Sequence, residues 1–338
     1  MVWNGRNYIM NAVVRRLPLL LLSVAGLLSA QVIHAQSVAT NPVGYNMFTL
    51  PAGNSVRVNT FVQATAFQGT ASNVTNVANS VITLSSSATA LTSGSFNEVN
   101  GEPTYYVEIL DTGSAQGLIA DIVSNGTNTI TVDTNLIPFG TLTTCSFLVR
   151  PHTTLSSLFP ATTTGLTPYS DGIKLFFPNN TSVTYLFTGT GDGWVNGGTF
   201  ADAGAQVIYP GQGFIISVGS AKTIPVTGYV KPGPTQVPLY AGAINLVGTL
   251  NPVISGTQTL SNFDFPAILT PYSEAVKIFN DTGLLQSPGS YLSSGTNMIN
   301  GGTFANSDSV PVNASNSVIV SVSQNKNWVM PSFYTSGD

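Results

Sequence analysis

Along most of the chain, apolar and polar residues alternate with a period of two over short stretches that end at Gly, Asn, Asp or Pro. In Ile173-Lys174-Leu175-Phe176-Phe177, the side chains of Ile173, Leu175 and Phe177 fall on one face and that of Lys174 on the other. Successive side chains of an extended chain point to opposite faces, so this pattern predicts half-buried strands. The same reading gives strands at 55–61, 80–84, 104–110, 129–132, 146–150, 213–218 and 317–322, rich in Val, Ile, Thr, Phe and Tyr. No stretch shows the i, i+3, i+4 apolar spacing of a long amphipathic helix; 154–159 and 259–263 have room for one helical turn each. The expected fold class is all-β, with antiparallel sheets forming duplicated sandwich or small-barrel modules.

Part of the pattern occurs twice. Leu166-Thr167-Pro168-Tyr169-Ser170 returns 103 residues later as Leu269-Thr270-Pro271-Tyr272-Ser273. Ile173-Lys174-Leu175-Phe176 returns as Val276-Lys277-Ile278-Phe279. Asn196-Gly197-Gly198-Thr199-Phe200-Ala201 returns 104 residues later as Asn300-Gly301-Gly302-Thr303-Phe304-Ala305. Paired glycines weaken a strand interior, so both Asn-Gly-Gly stretches are expected to be turns. A weaker likeness joins the stretch from Leu50 to the stretch from Leu239. The repeated unit therefore reads as a lead hairpin followed by a Pro-Tyr-Ser module. Its first occurrence, 45–234, is interrupted by a small β-module at about 74–151 and resumes as repeat module 1 at 152–234. Repeat module 2 spans 235–338 without a break, and Lys231-Pro232-Gly233-Pro234 marks the junction.

The N-terminus departs from this pattern. Arg15 and Arg16 precede an apolar run at 17–28 that leads to Val32-Ile33-His34-Ala35, the layout of a secretory signal peptide (1–35) with cleavage after Ala35. The run falls short of the roughly 20 apolar residues of a membrane span. The expectation is a secreted or cell-surface chain with a short leader at 36–44 and no later membrane span. After Ala35 only seven basic residues remain against fourteen acidic ones. Binding to nucleic acid needs a basic surface, so no nucleic-acid partner is expected. Charged residues make up 7% of the chain, so Thr, Ser, Asn and Gly must cover its surface. Such a surface packs against copies of itself with little charge to desolvate, through edge strands or through the segment after Ala35. Cys145 is the one cysteine, so no internal disulfide forms, and a buried thiol is expected.

Further motifs are Asn41-Pro42-Val43-Gly44-Tyr45, Tyr105-Tyr106-Val107-Glu108-Ile109, Phe147-Leu148-Val149-Arg150-Pro151-His152, Gly193-Trp194 and Pro210-Gly211-Gln212-Gly213-Phe214. In these the chain resembles an uncharacterised family of secreted all-β proteins from Verrucomicrobia and related bacteria. The resemblance implies export and an all-β fold, and no activity.

Candidate chemistry is sparse. Asp111-Thr112-Gly113-Ser114 and Asp281-Thr282-Gly283 match the active-site loop of aspartic peptidases, whose two carboxylates share a proton. Here one loop falls in the insertion and the other in repeat module 2, and Asp-Thr-Gly is also common turn chemistry. Glu98, Glu102 and Glu108 supply carboxylates for a glycosidase-like pair. Asp192 and Asp202 bracket a Gly-rich loop, which suggests calcium, but Thr296 and Asn306 stand at the matching positions of the second repeat. His152 follows Ala35 as the sole histidine and is expected to be structural. No cofactor and no metal site are expected. The first functional expectation is a non-enzymatic structural protein of the cell surface or matrix that self-assembles. The alternative is a carbohydrate- or surface-binding module that stacks a glycan on Tyr169, Tyr185, Trp194 and Tyr272. An aspartic peptidase using Asp111 and Asp281 comes third.

Overall fold

The computed structural model describes residues 42–332 apart from 77, 87–88, 112, 140–141, 143, 164, 252–257, 281–284 and 314. The expected signal peptide and most of the leader lie outside the described residues, as does Asp281. The fold is all-β and antiparallel. Among the described residues no helix is long and apolar enough to cross a membrane.

The chain opens with β1 (Val43–Leu50) and β2 (Gly53–Val58), then builds a closed barrel from six strands. These are β3 (Phe67–Thr75), β4 (Val81–Leu84), β5 (Tyr105–Ile109), β6 (Ile119–Asn125), β7 (Thr129–Val132) and β8 (Ser146–Pro151), in the order β3-β4-β7-β6-β5-β8. The barrel begins at Phe67, ahead of the boundary expected near 74. Alternation explains its core: Val107, Ile109, Ala120, Ile122, Ile130, Val132, Phe147 and Val149 point inward. Register shifts at Ala71/Asn73 and Ile122/Ser124 add the local bends that closure requires.

The first repeat resumes with β9 (Thr153–Thr154), one helical turn α1 (Leu155–Leu158), β10 (Gly172–Phe176), β11 (Ser182–Phe187) and β12 (Trp194–Asn196). It ends with β13 (Val207–Ile208), β14 (Gly213–Val218) and β15 (Lys222–Tyr229). The second repeat supplies β16 (Thr235–Leu239), β17 (Asn245–Val247), β18 (Ala275–Ile278), β19 (Tyr291–Ser293), β20 (Met298–Asn300), β21 (Val318–Ser321) and β22 (Lys326–Met330). Thr154 caps α1 by accepting from the Ser157 N–H at 3.2 Å. A 3-10 turn at Leu260–Phe263 starts after Thr259 in the matching place.

Two five-stranded sheets result, ordered β2-β14-β10-β11-β12 and β17-β21-β18-β19-β20. Read in the same direction, the two orders place the segments alike in sequence, such as Ile173-Lys174-Leu175-Phe176 and Val276-Lys277-Ile278-Phe279, at the same rank. Each sheet is accompanied by a two-stranded ribbon, β1-β15 for the first and β16-β22 for the second. Each has its own apolar core. A tryptophan seals both cores by different routes. Trp194, on β12, donates its indole N–H to the Phe159 carbonyl at 2.8 Å. Trp328, on β22, donates to the Phe263 carbonyl at 2.7 Å. Met298 and Ile224 occupy the reciprocal positions and are buried.

Buried ion pairs tie the parts together. Glu108 points outward from the barrel wall yet is 2% exposed. Its carboxylate meets Arg150 Nε at 3.2 Å and Nζ of Lys231, in the junction, at 2.7 Å. In the first repeat Asp171 pairs with Lys222, and in the second Glu274 pairs with Lys326. Among the described residues Arg57, Arg150 and Lys231 are buried.

Candidate functional site

Tyr169 and Tyr272 are exposed; Tyr185 and Trp194 are not. Tyr185 and Trp194 belong to the core of the first repeat, and the Tyr185 hydroxyl donates to Gln206 Oε1 at 2.6 Å. Neither offers a ring face to a glycan, which corrects their place among the stacking candidates. Trp328 is likewise buried.

Tyr169 sits where the Thr-Pro-Tyr-Ser turn demands a left-handed backbone. Ser170 N–H and Asp171 N–H donate to the Thr167 carbonyl at 3.2 and 3.0 Å, closing a turn with Pro168 first and Tyr169 second. Tyr169 has φ of 56° and Tyr272 has φ of 58°. Their N–H groups donate across to Phe187 and Ser293 carbonyls at 2.6 and 2.8 Å. This second turn position favours glycine, because a side chain at positive φ costs about 1–2 kcal/mol. Both repeats place a tyrosine there, 63% and 62% exposed.

The Asn-Gly-Gly turns repeat this arrangement with phenylalanine. Asn196 Oδ1 accepts the Gly198 and Thr199 N–H groups at 2.9 and 3.2 Å, and the Phe200 N–H closes on the Asn196 carbonyl at 2.7 Å. Asn300, Gly302, Thr303 and Phe304 do the same. Phe200 and Phe304 both have φ of 58°, and are 64% and 60% exposed. Sequence reasoning placed these turns but missed the aromatics on them. The missed signal is a large apolar residue directly after a Gly-Gly-Thr turn, where the left-handed backbone turns the ring to solvent.

The segments that follow these turns fold back over the outer strands. Asn196 N–H donates to Ala201 O and Ala203 N–H to Trp194 O, at 2.8 and 3.0 Å. Asn300 N–H and Ser307 N–H pair in the same way with Ala305 O and Met298 O. The outward backbone groups of β12 and β20 are therefore occupied, which closes these two edges to another chain.

The remaining candidates hold structural posts. Asp111 accepts the Ser146 backbone N–H and so anchors the start of β8. Its expected dyad partner Asp281 lies outside the described residues. Glu108 is committed to Arg150 and Lys231 and is not a free acid or base. Asp192 and Asp202 lean on each other: the hydrogen bond with Asp202, and then its charge, push the Asp192 carboxyl up. Among the described residues no group of three or more His, Cys, Asp or Glu is placed to hold a metal ion. Burial, with the Asp111 charge second, pushes the Cys145 thiol up to about 11.

A cleft of about 490 Å³ opens where the barrel and both repeats meet. Glu102, Asp121 and Asp133 line it from the barrel, Phe176 and Tyr209 from the first repeat, and Tyr240 from the second. The Tyr209 hydroxyl donates to Asp121 Oδ2 at 2.6 Å. Behind Asp121, the His152 ring is held between Tyr106 and Tyr209, with centroids 4.9 and 5.1 Å away. Burial foremost, and then the charges of Asp121, Asp133 and Glu102, push the Tyr209 hydroxyl well above the usual phenol range. Burial also raises the Asp133 carboxyl. No local pattern in the sequence points to this cleft, because its walls come from three separate stretches.

No family model, curated protein or solved structure matches this chain.

Proposed function

We propose that the chain is a secreted, non-enzymatic structural protein of the cell surface or matrix that self-associates through its exposed aromatic turns. The observation that carries this reading is the doubled pair Tyr169/Phe200 and Tyr272/Phe304. Four large rings stand in solvent on backbone that glycine would occupy at lower cost. Exposure forgoes the burial that normally offsets such strain, so a use outside the fold supports their presence. Two equivalent pairs on one chain make it divalent, and divalent contacts that do not close on themselves give filaments or sheets. The signal-like N-terminus and the resemblance to a secreted family support export. A carbohydrate-binding role for the same tyrosines is the second reading, since an exposed phenol ring also stacks on sugars.

Glycine replacement separates contact from structure. Tyr169→Gly, Phe200→Gly, Tyr272→Gly and Phe304→Gly together relieve the left-handed strain while adding unfolded-state entropy of similar size. Stability is expected to stay within about 1 kcal/mol per site of the parent. Ordered particles formed by the parent from residue 36 onward should disappear in electron micrographs of the four-glycine variant. Undiminished assembly by that variant would remove the aromatic turns from the contact. Binding of a neutral oligosaccharide by the parent, lost in the same variant, would favour the second reading.

A further inference from the structure

The cleft between the three modules differs from the rest of the molecule in how its charges are matched. Buried Glu108, Asp171 and Glu274 each hold lysine or arginine partners. Glu102, Asp121 and Asp133 line the cleft together, and among the described residues no lysine or arginine lines it with them. Its negative field reaches the aromatic walls. Burial first, and Asp133 second, raise the Tyr240 hydroxyl, and all three carboxylates act on Tyr209.

A second observation comes from behind the cleft wall. His152 is 3% exposed, and its Nε2 lies 3.0 Å from Oδ1 of Asp121 without the alignment of a hydrogen bond. Its Nδ1 and the buried Tyr106 hydroxyl also find no hydrogen-bond partner among the described residues. Buried polar atoms are nearly always paired, so His152 and Tyr106 back the cleft carboxylate Asp121 with hydrogen-bonding capacity that the fold leaves unused.

The type of ligand follows from the layout. The carboxylates do not converge where a single metal ion could sit. Their charge is spread along a cleft whose volume suits a small organic molecule. Phe176, Tyr209 and Tyr240 add aromatic surface, which attracts organic cations by cation–π contact as well as by stacking. We propose that this cleft binds a small organic polycation with spaced primary ammonium groups, the chemistry shared by linear polyamines and oligomers of deacetylated amino sugars. This site is independent of the aromatic turns.

Calorimetric titration of the chain from residue 36 onward, at low salt, tests the proposal with three probes: spermidine, a glucosamine trimer and its N-acetylated counterpart. Saturable binding of spermidine or the glucosamine trimer is expected, with the N-acetylated trimer silent. Binding of spermidine alone assigns the polyamine source, of the trimer alone the amino-sugar source, and of both a recognition of spaced charge. The double variant Glu102→Gln/Asp133→Asn changes two exposed side chains and should weaken binding roughly tenfold or more. In the parent, the bound cation should shift the ring resonances of Tyr209 and Tyr240, a readout that needs no variant. Repeating the titration in the four-glycine variant keeps failure of this site distinct from failure of self-association. No saturable binding, equal binding of the N-acetylated trimer, or an unchanged affinity in the double variant with silent Tyr209 and Tyr240 rings would overturn the proposal.

Discussion

Replacing Glu274 by glutamine should remove a pH-dependent share of the stability of the second repeat. Its Oε1 accepts the Ser323 N–H and hydroxyl, both at 2.7 Å, and its Oε2 accepts the Thr270 N–H at 2.7 Å and contacts the Lys326 ammonium. Burial works to raise this carboxyl, but Lys326 and the backbone donors overcome it and hold it at about 2 instead of 4.5. That difference is worth roughly 3 kcal/mol of folding free energy at neutral pH. The carboxylate is favoured in the folded state, so its contribution is complete above pH 4.5 and lost as pH falls through about 2. Glu274→Gln should therefore cost about 3 kcal/mol at pH 7, and the gap to the parent should narrow steadily below pH 4. Urea unfolding of the chain from residue 36 onward, followed by Trp328 emission in a Trp194→Phe background, reads the second repeat selectively. A gap that stays constant from pH 7 to pH 2.5, or one below about 1 kcal/mol at pH 7, would refute this reasoning.

Three other outcomes follow from the interior. Glu108→Ala leaves Arg150 and Lys231 buried without their shared anion, and urea denaturation should show a loss of about 3–5 kcal/mol. Trp194→Met opens the first core and should cost about 2–4 kcal/mol in the same assay. Adding Ile224→Trp recreates the arrangement of Met298 and Trp328 and should recover part of that loss; a further loss would show that the two cores are not interchangeable. The Cys145 thiol is buried and held in its protonated form, so it should resist a thiol reagent at pH 8 until the chain is unfolded by urea.

Local chemistry made much of the fold legible. Strands expected at 129–132 and 213–218 coincide with β7 and β14, because alternation and bounding turns suffice where one face is buried. The short helical turns expected at 154–159 and 259–263 are present, the first with the Thr154 hydroxyl satisfying a free backbone donor. Closure of the barrel was not legible. Alternation says that one face of β3–β8 is buried, but not that the sheet returns on itself, which rests on register shifts such as that at Ala71/Asn73. The pairing of Glu108 with Lys231 was equally hidden, since a strand residue and a junction residue meet only after docking.

The site followed the same division. Tyr, Trp and Phe look alike in sequence as large aromatics, and their fate depends on backbone sign and strand face. Tyr185 and Trp194 lie on buried faces and complete a core. Tyr169 and Tyr272 stand out because their φ angles are positive, a property Pro-Tyr-Ser hints at but does not state. The cleft needed three modules in place before Glu102, Asp121 and Asp133 could share one field.

Self-association is tested most directly by sedimentation velocity of the chain from residue 36 onward, at micromolar concentrations and across pH 4 to 8. The expected result is a distribution that shifts to larger species as concentration rises, and that collapses to a single monomer peak when Tyr169, Phe200, Tyr272 and Phe304 are all glycine. A parent that sediments as a clean monomer throughout this range would contradict it.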